Sequence, residues 1–117
     1  MHDALRTLAA LLHKYAPRQA APVEALLQMA EANDPNFGLD VCGEALWGER
    51  GLWDSGPQVL QRPHHDSELC RADELAYRAA FVQLATAIAA ADLGDDEQRR
   101  RIDTVVATFR AWERDGL

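Results

Sequence analysis

The sequence predicts an all-α fold, a small bundle of four main helices and one short one forming a single domain over 1–117, and three observations predict it. Apolar residues recur at three- and four-residue steps through most of the chain, prolines, glycines and Asn/Asp clusters fall at the ends of those stretches, and no run of four or more residues alternates as a half-buried strand would. A chain of 117 residues that is 48% apolar and 26% charged sits near the globular average. A fold of that size removes roughly two thirds of the extended-chain surface from water, enough for one core.

The first helix is expected over about 4–16. Asp3 serves as its N-cap, Leu5, Leu8, Leu12 and Tyr15 form its stripe, widened by Ala9 and Leu11, and Pro17 closes it. Pro22 opens the second, because a fixed φ and a missing N–H suit the first helical position. That helix runs through Val23, Leu26, Leu27 and Ala30 to Asn33-Asp34-Pro35. The short connection between the two predicts a helical hairpin. Leu39, Cys42 and Leu46 share a face, as do Val41 and Ala45, giving a short helix over about 39–47 that tolerates Gly43 and ends at Gly48 in a left-handed cap. A glycine- and proline-containing loop follows over 48–63, pinned by Leu52, Trp53, Val59 and Leu60.

The longest helix spans about 67–91, capped by Asp66 or Ser67. Its apolar face is read as Leu69, Ala72, Leu75, Ala76, Ala79, Val82 or Phe81, Ala85, Ile88 and Ala89. Leu93-Gly94 ends it. Asp95 and Gln98 stand at capping-box spacing before the last helix, whose stripe is Ile102, Val105, Val106, Phe109 and Trp112, with Glu97–Arg101 and Arg99–Asp103 as four-residue ion pairs on its outer face.

The net charge of -7 is concentrated: residues 24–54 hold seven acids against one base, whereas 1–23 hold one acid against three bases. A surface of this sign repels phosphate backbones and attracts basic proteins, so the expected partner is a basic protein and not nucleic acid. No stretch approaches the length of apolar chain that a membrane span requires, and the N-terminal segment lacks the basic start and unbroken apolar run of a secretion signal. The expected location is the cytoplasm, with Cys42 and Cys70 as buried thiols.

Catalytic and metal chemistry find little support. His64, His65, Asp66, Glu68 and Cys70 include ligand types, but adjacent histidines on a helix start cannot both face one ion and no second cluster completes a zinc spacing. Glycines 48, 51 and 56 fit no phosphate-binding fingerprint, and Arg99-Arg100-Arg101 is bracketed by acids. No catalytic residue, metal or cofactor is assigned, and the chain is expected not to be an enzyme.

The stretch 37–57 remains, holding two of the three tryptophans, five of the seven glycines and the acids Asp40, Glu44, Glu49 and Asp54. Interface anchors are enriched in tryptophan, and a negative rim speeds encounter with a basic partner. The expected partner-binding residues are therefore Asp40, Glu44, Trp47, Glu49, Trp53 and Asp54. The leucine-rich helix LRTLAALLHKYA, the second helix VEALLQMA and the Leu46–Asp54 segment with its Gly-x-x-Gly turn resemble small helical bacterial proteins of unassigned function, and the build is similar to immunity proteins that accompany interbacterial toxins. That resemblance covers about residues 4–54. It implies a non-catalytic, antitoxin-like inhibitor that occludes a basic toxin domain. The alternative is a homodimeric structural or adaptor protein assembling through the alanine-rich helix 67–91.

Overall fold

A computed structural model describes residues 1–54 and 67–116, with the side chains of 67–70 excepted. The fold is all-α. Its helices are α1 (His2–Tyr15), α2 (Pro17–Glu31), α3 (Phe37–Val41), α4 (Glu44–Trp47), α5 (Ser67–Ala90) and α6 (Asp96–Arg114). Among the described residues there is no strand. Among the described residues the four main helices foreseen are present, with the two short helices α3 and α4 where one was expected over 39–47. Val59, Leu60, His64, His65 and Asp66 lie outside the described residues, as do the side chains of Glu68 and Cys70.

α1 turns Ala4, Leu5, Leu8, Ala9 and Leu12 inward. It starts one residue before Asp3, which therefore sits in the first turn, where its charge suits the helix dipole, and pairs with Arg6 at 3.4 Å instead of capping. The hairpin is tighter than the sequence suggests. Ala16 alone joins the helices, its N–H donating to the Leu12 carbonyl at 2.7 Å, and Pro17, not Pro22, takes the first turn of α2. Pro22 lies inside α2 and has no N–H to offer the Arg18 carbonyl. Two exposed cross-helix pairs, Arg6–Glu31 at 3.8 Å near one end and His13–Glu24 near the other, are consistent with the antiparallel register that the apolar packing sets.

Just past the C-cap of α2, Asn33 adopts the left-handed region (φ 53°), with the Asp34 N–H reaching back to the Met29 carbonyl at 2.9 Å. The helix expected over 39–47 is broken at Cys42-Gly43. Gly43 adopts an extended conformation and caps α4, so α3 and α4 point differently. The break matters for Leu39: the single helix would have buried it with Cys42 and Leu46, but it is 62% exposed. Gly48 is also extended (φ -75°, ψ 175°), not left-handed.

α5 is central, packing on α1 and on α6. Its buried face is Tyr77, Ala80, Phe81, Leu84 and Ile88, whereas Ala72, Leu75, Ala79 and Ala89, read from the sequence as core, point outward. Two large rings outweigh a row of alanines in apolar area, and the helix rotates to bury them. α6 keeps its predicted capping box, Gln98 N–H to Asp95 Oδ1 at 2.7 Å and Asp95 N–H to Gln98 Oε1 at 3.0 Å. Arg101 pairs with Glu97 at 3.8 Å as foreseen, but Arg99 turns back to Asp92 and to the Leu93 carbonyl (Nε to O, 3.0 Å) instead of forward to Asp103.

Tyr77 ties α5 to the turn after α4, its hydroxyl donating to the Leu52 carbonyl at 2.8 Å. Burial raises its phenol far above the ordinary range. Above about pH 10 the unfolded chain ionises this group while the folded chain cannot, so the unfolded state binds fewer protons and stability falls as pH rises. Tyr15, raised by its own desolvation and then by Asp73, acts in the same sense. The folding stability read from urea unfolding is expected to hold between about pH 7 and 9 and then decline, by up to about 1.4 kcal/mol per pH unit for the buried Tyr77 and by much less for the more solvated Tyr15. In Tyr77→Phe the larger part of that decline disappears; an equal decline in the variant would place the titration elsewhere.

Candidate protein-binding groove

Between α2 and the α3–α4 segment runs an open groove of about 420 Å³. One wall is the uncharged stripe Pro22, Ala25, Leu26 and Met29, spaced at helical steps along α2. The other is Leu39, Asp40, Gly43, Glu44 and Ala45, with Gln98 of α6 at the end, its amide donating to the Leu39 carbonyl at 3.4 Å. Gly43 makes this wall possible. By separating the two short helices it lets Leu39 and Asp40 leave the core side while Val41 and Cys42 stay in it.

The two acids on this wall differ. Asp40 is exposed and has no ion pair among the described residues, whereas Glu44 stands 3.6 Å from Arg101, with its own side chain largely in water. An exposed pair of that kind is weak and easily exchanged for another cation. Glu49 and Asp54 are also exposed, but they do not line the groove. The structure therefore brings Asp40 and Glu44 together in one concave surface and leaves the other two acids outside it.

Trp47 does not fill the outward role assigned to it, whereas Trp53 stays partly open to solvent. Trp47 is 1% exposed; its indole N–H donates to the Val41 carbonyl at 2.9 Å and its ring meets Phe81 edge-on at 5.2 Å. It is a core residue and no outward anchor, because a ring of that size satisfies both its apolar area and its single donor better inside. Trp53 is half-buried, bound through its N–H to the Gly48 carbonyl at 2.6 Å and stacked on Trp112 at 6.3 Å. The large apolar group offered to solvent in this region is Leu39. The helix period missed it, because a single unbroken helix was assumed; the signal available was Gly43, which interrupts that period.

Behind the groove wall Cys42 is buried, and desolvation raises its thiol, with Arg99 acting to lower it and Asp95 to raise it. A buried, protonated thiol behaves as a small apolar group. Among the described residues no three His, Cys, Asp or Glu side chains converge as a metal site, and no helix is long and apolar enough to cross a membrane. Comparison with protein-family models, with curated proteins and with solved structures finds no match to this chain.

Proposed function

We propose that the chain is a binding protein whose α2/α3–α4 groove receives a cationic, apolar segment of a basic protein partner, and that it acts as an immunity-type inhibitor by occluding that partner without turnover. One observation carries the reading: Leu39, largely exposed, lies beside the unpaired Asp40 on an acidic wall that faces an uncharged one. A groove so built suits a leucine- or phenylalanine-sized side chain lying on Leu39, Ala25 and Met29, with a neighbouring lysine or arginine reaching Asp40 and Glu44. The acids steer the encounter, and the apolar contact slows release.

A random peptide library selected on the wild-type chain is expected to yield sequences pairing Lys or Arg with a large apolar residue. Asp40→Lys/Glu44→Lys is expected to slow association of a selected peptide about tenfold in low salt, with the thermal midpoint unchanged because both acids are exposed. Selected peptides without cationic residues, or binding that ignores the double reversal, would remove the groove from consideration. The inhibitory part has its own test: co-expression with the product of the adjacent reading frame restores growth, and the double reversal abolishes the protection. A harmless neighbour product, or protection that survives reversal, rules out inhibition while leaving the groove as a binding site.

A further inference from the structure

The outer side of α5 is apolar, although its opposite side already fills the core. Ala72, Leu75, Ala79, Val82, Thr86 and Ala89 follow one another at alternating three- and four-residue steps, the spacing of a helix-packing seam, and none carries charge. All are exposed except Val82, which is half-buried. At 100° per residue this row stands about half a turn from Tyr77, Leu84 and Ile88. A helix with apolar residues on two opposed sides has one side without a partner among the described residues.

Beside this row, α5 and α6 enclose a groove of about 520 Å³, lined by Leu75, Ala79, Val82 and Phe109, with Arg110 and Glu113 among its polar members. Leu75, 46% exposed, stands at its edge, so a protruding side chain and a recess that can hold it lie side by side. Arg78, only 8% exposed, also lines the recess. Glu74 accepts from its Nη2 at 2.5 Å and its guanidinium lies 4.9 Å from the Trp112 ring, but its sealed Nε and Nη1 have no acceptor among the described residues.

We infer that a second copy of this chain packs on this face about a two-fold axis, each Leu75 entering the other's α5/α6 groove. Charge decides the occupant. The chain as a whole carries -7, which opposes self-association through most of its surface, but here Arg71 and Arg78 share Glu74 and Arg110 offsets Glu113, leaving a patch with no excess of acid. A basic partner has no reason to choose it. Arg110 and Glu113 are opposite in sign and one helical turn apart, so a two-fold contact sets Arg110 of one copy against Glu113 of the other and repeats the pair across the axis. Small residues along the row, Ala72, Ala79 and Ala89, let two α5 helices approach closely. This inference stands independently of the acidic groove on α2.

Sedimentation equilibrium of the full chain at micromolar concentration tests it. The wild type is expected to be a dimer. Leu75→Glu and Ala79→Arg are expected to sediment as monomers with unchanged helical circular dichroism, since neither position is buried in the domain. Arg110→Glu and Glu113→Arg should each weaken the dimer at least about tenfold through like-charge contacts, and the double swap should restore it, a recovery that a merely destabilised fold would not show. A monomeric wild type, a dimer indifferent to Leu75→Glu, or a double swap as weak as either single change would overturn the inference.

Discussion

Trp47→Ala is expected to cost about 3–5 kcal/mol of folding stability, the loss typical of truncating a large buried ring. The ring is sealed, it meets Phe81 edge-on, and its one donor is bound to Val41, so truncation leaves a cavity and an unpartnered carbonyl together. A domain of this size has about 5–15 kcal/mol in total. The variant is therefore expected to be marginal, with a urea midpoint lowered by roughly 2 M. Trp53→Ala, which removes a half-buried ring stacked on Trp112, is expected to cost less than half as much. The ordering is the diagnostic: equal, small effects from both substitutions would return Trp47 to the surface and revive it as a docking anchor.

The contrast between these two tryptophans marks how far the sequence could be read. The four main helices and their order, the hairpin, the capping box at Asp95–Gln98 and the stripe on α6 followed from periodicity and end signals, because these are largely local consequences of residues within or next to one helix. Which side of a helix faces inward is a tertiary competition. On α5 the aromatics at 77 and 81 displaced the alanine row, and periodicity alone could not choose between two apolar sides. The same limit applies to the candidate site. Charge counting located the acids, and Asp40 and Glu44 do meet on one wall, but the position of Leu39 depended on a helix break at Gly43 that a 3.6-residue period smooths over. Two-proline signals misplaced α2 for a related reason: Pro17 and Pro22 both satisfy a first-turn rule, and the one-residue connection at Ala16 settles which does.

The two proposed surfaces differ in charge. In the proposed reading the acidic α2/α3–α4 groove receives a cationic protein segment, and the α5/α6 face receives an identical chain. α1 contributes to neither lining. Its inward residues hold α2 and α5 in place, so the two surfaces are built on opposite neighbours of one core helix. Salt should separate them: association at the acidic groove weakens with ionic strength, whereas burial of Leu75 and Val82 does not depend on it in the same way.

Gly51→Ala is the second substitution expected to be severe, at about 3 kcal/mol, the upper end of the overpacking range. The turn after α4 folds back on the helix it leaves: a Cβ at Gly51 would lie 2.6 Å from the Leu46 carbonyl oxygen, 2.7 Å from its carbon and 2.9 Å from the Gly48 nitrogen. All three are backbone atoms, and they belong to a segment fixed by the buried Leu46 and Trp47, so no side-chain rotation relieves the clash. Moving the turn would also disturb the Gly51 N–H to Gly48 carbonyl bond at 2.9 Å and the Leu52 carbonyl that Tyr77 needs. Gly38→Ala supplies the control. There the nearest atom is Leu93 Cδ2 at 3.0 Å, the end of a side chain that can yield, and the expected cost stays below about 1 kcal/mol. Chemical denaturation of both variants distinguishes a requirement for close backbone approach from a general intolerance of added volume in this region. A Gly51→Ala protein as stable as the wild type would mean that the turn does not press against α4 as described, and the burial of Trp47 beneath it would lose its structural basis.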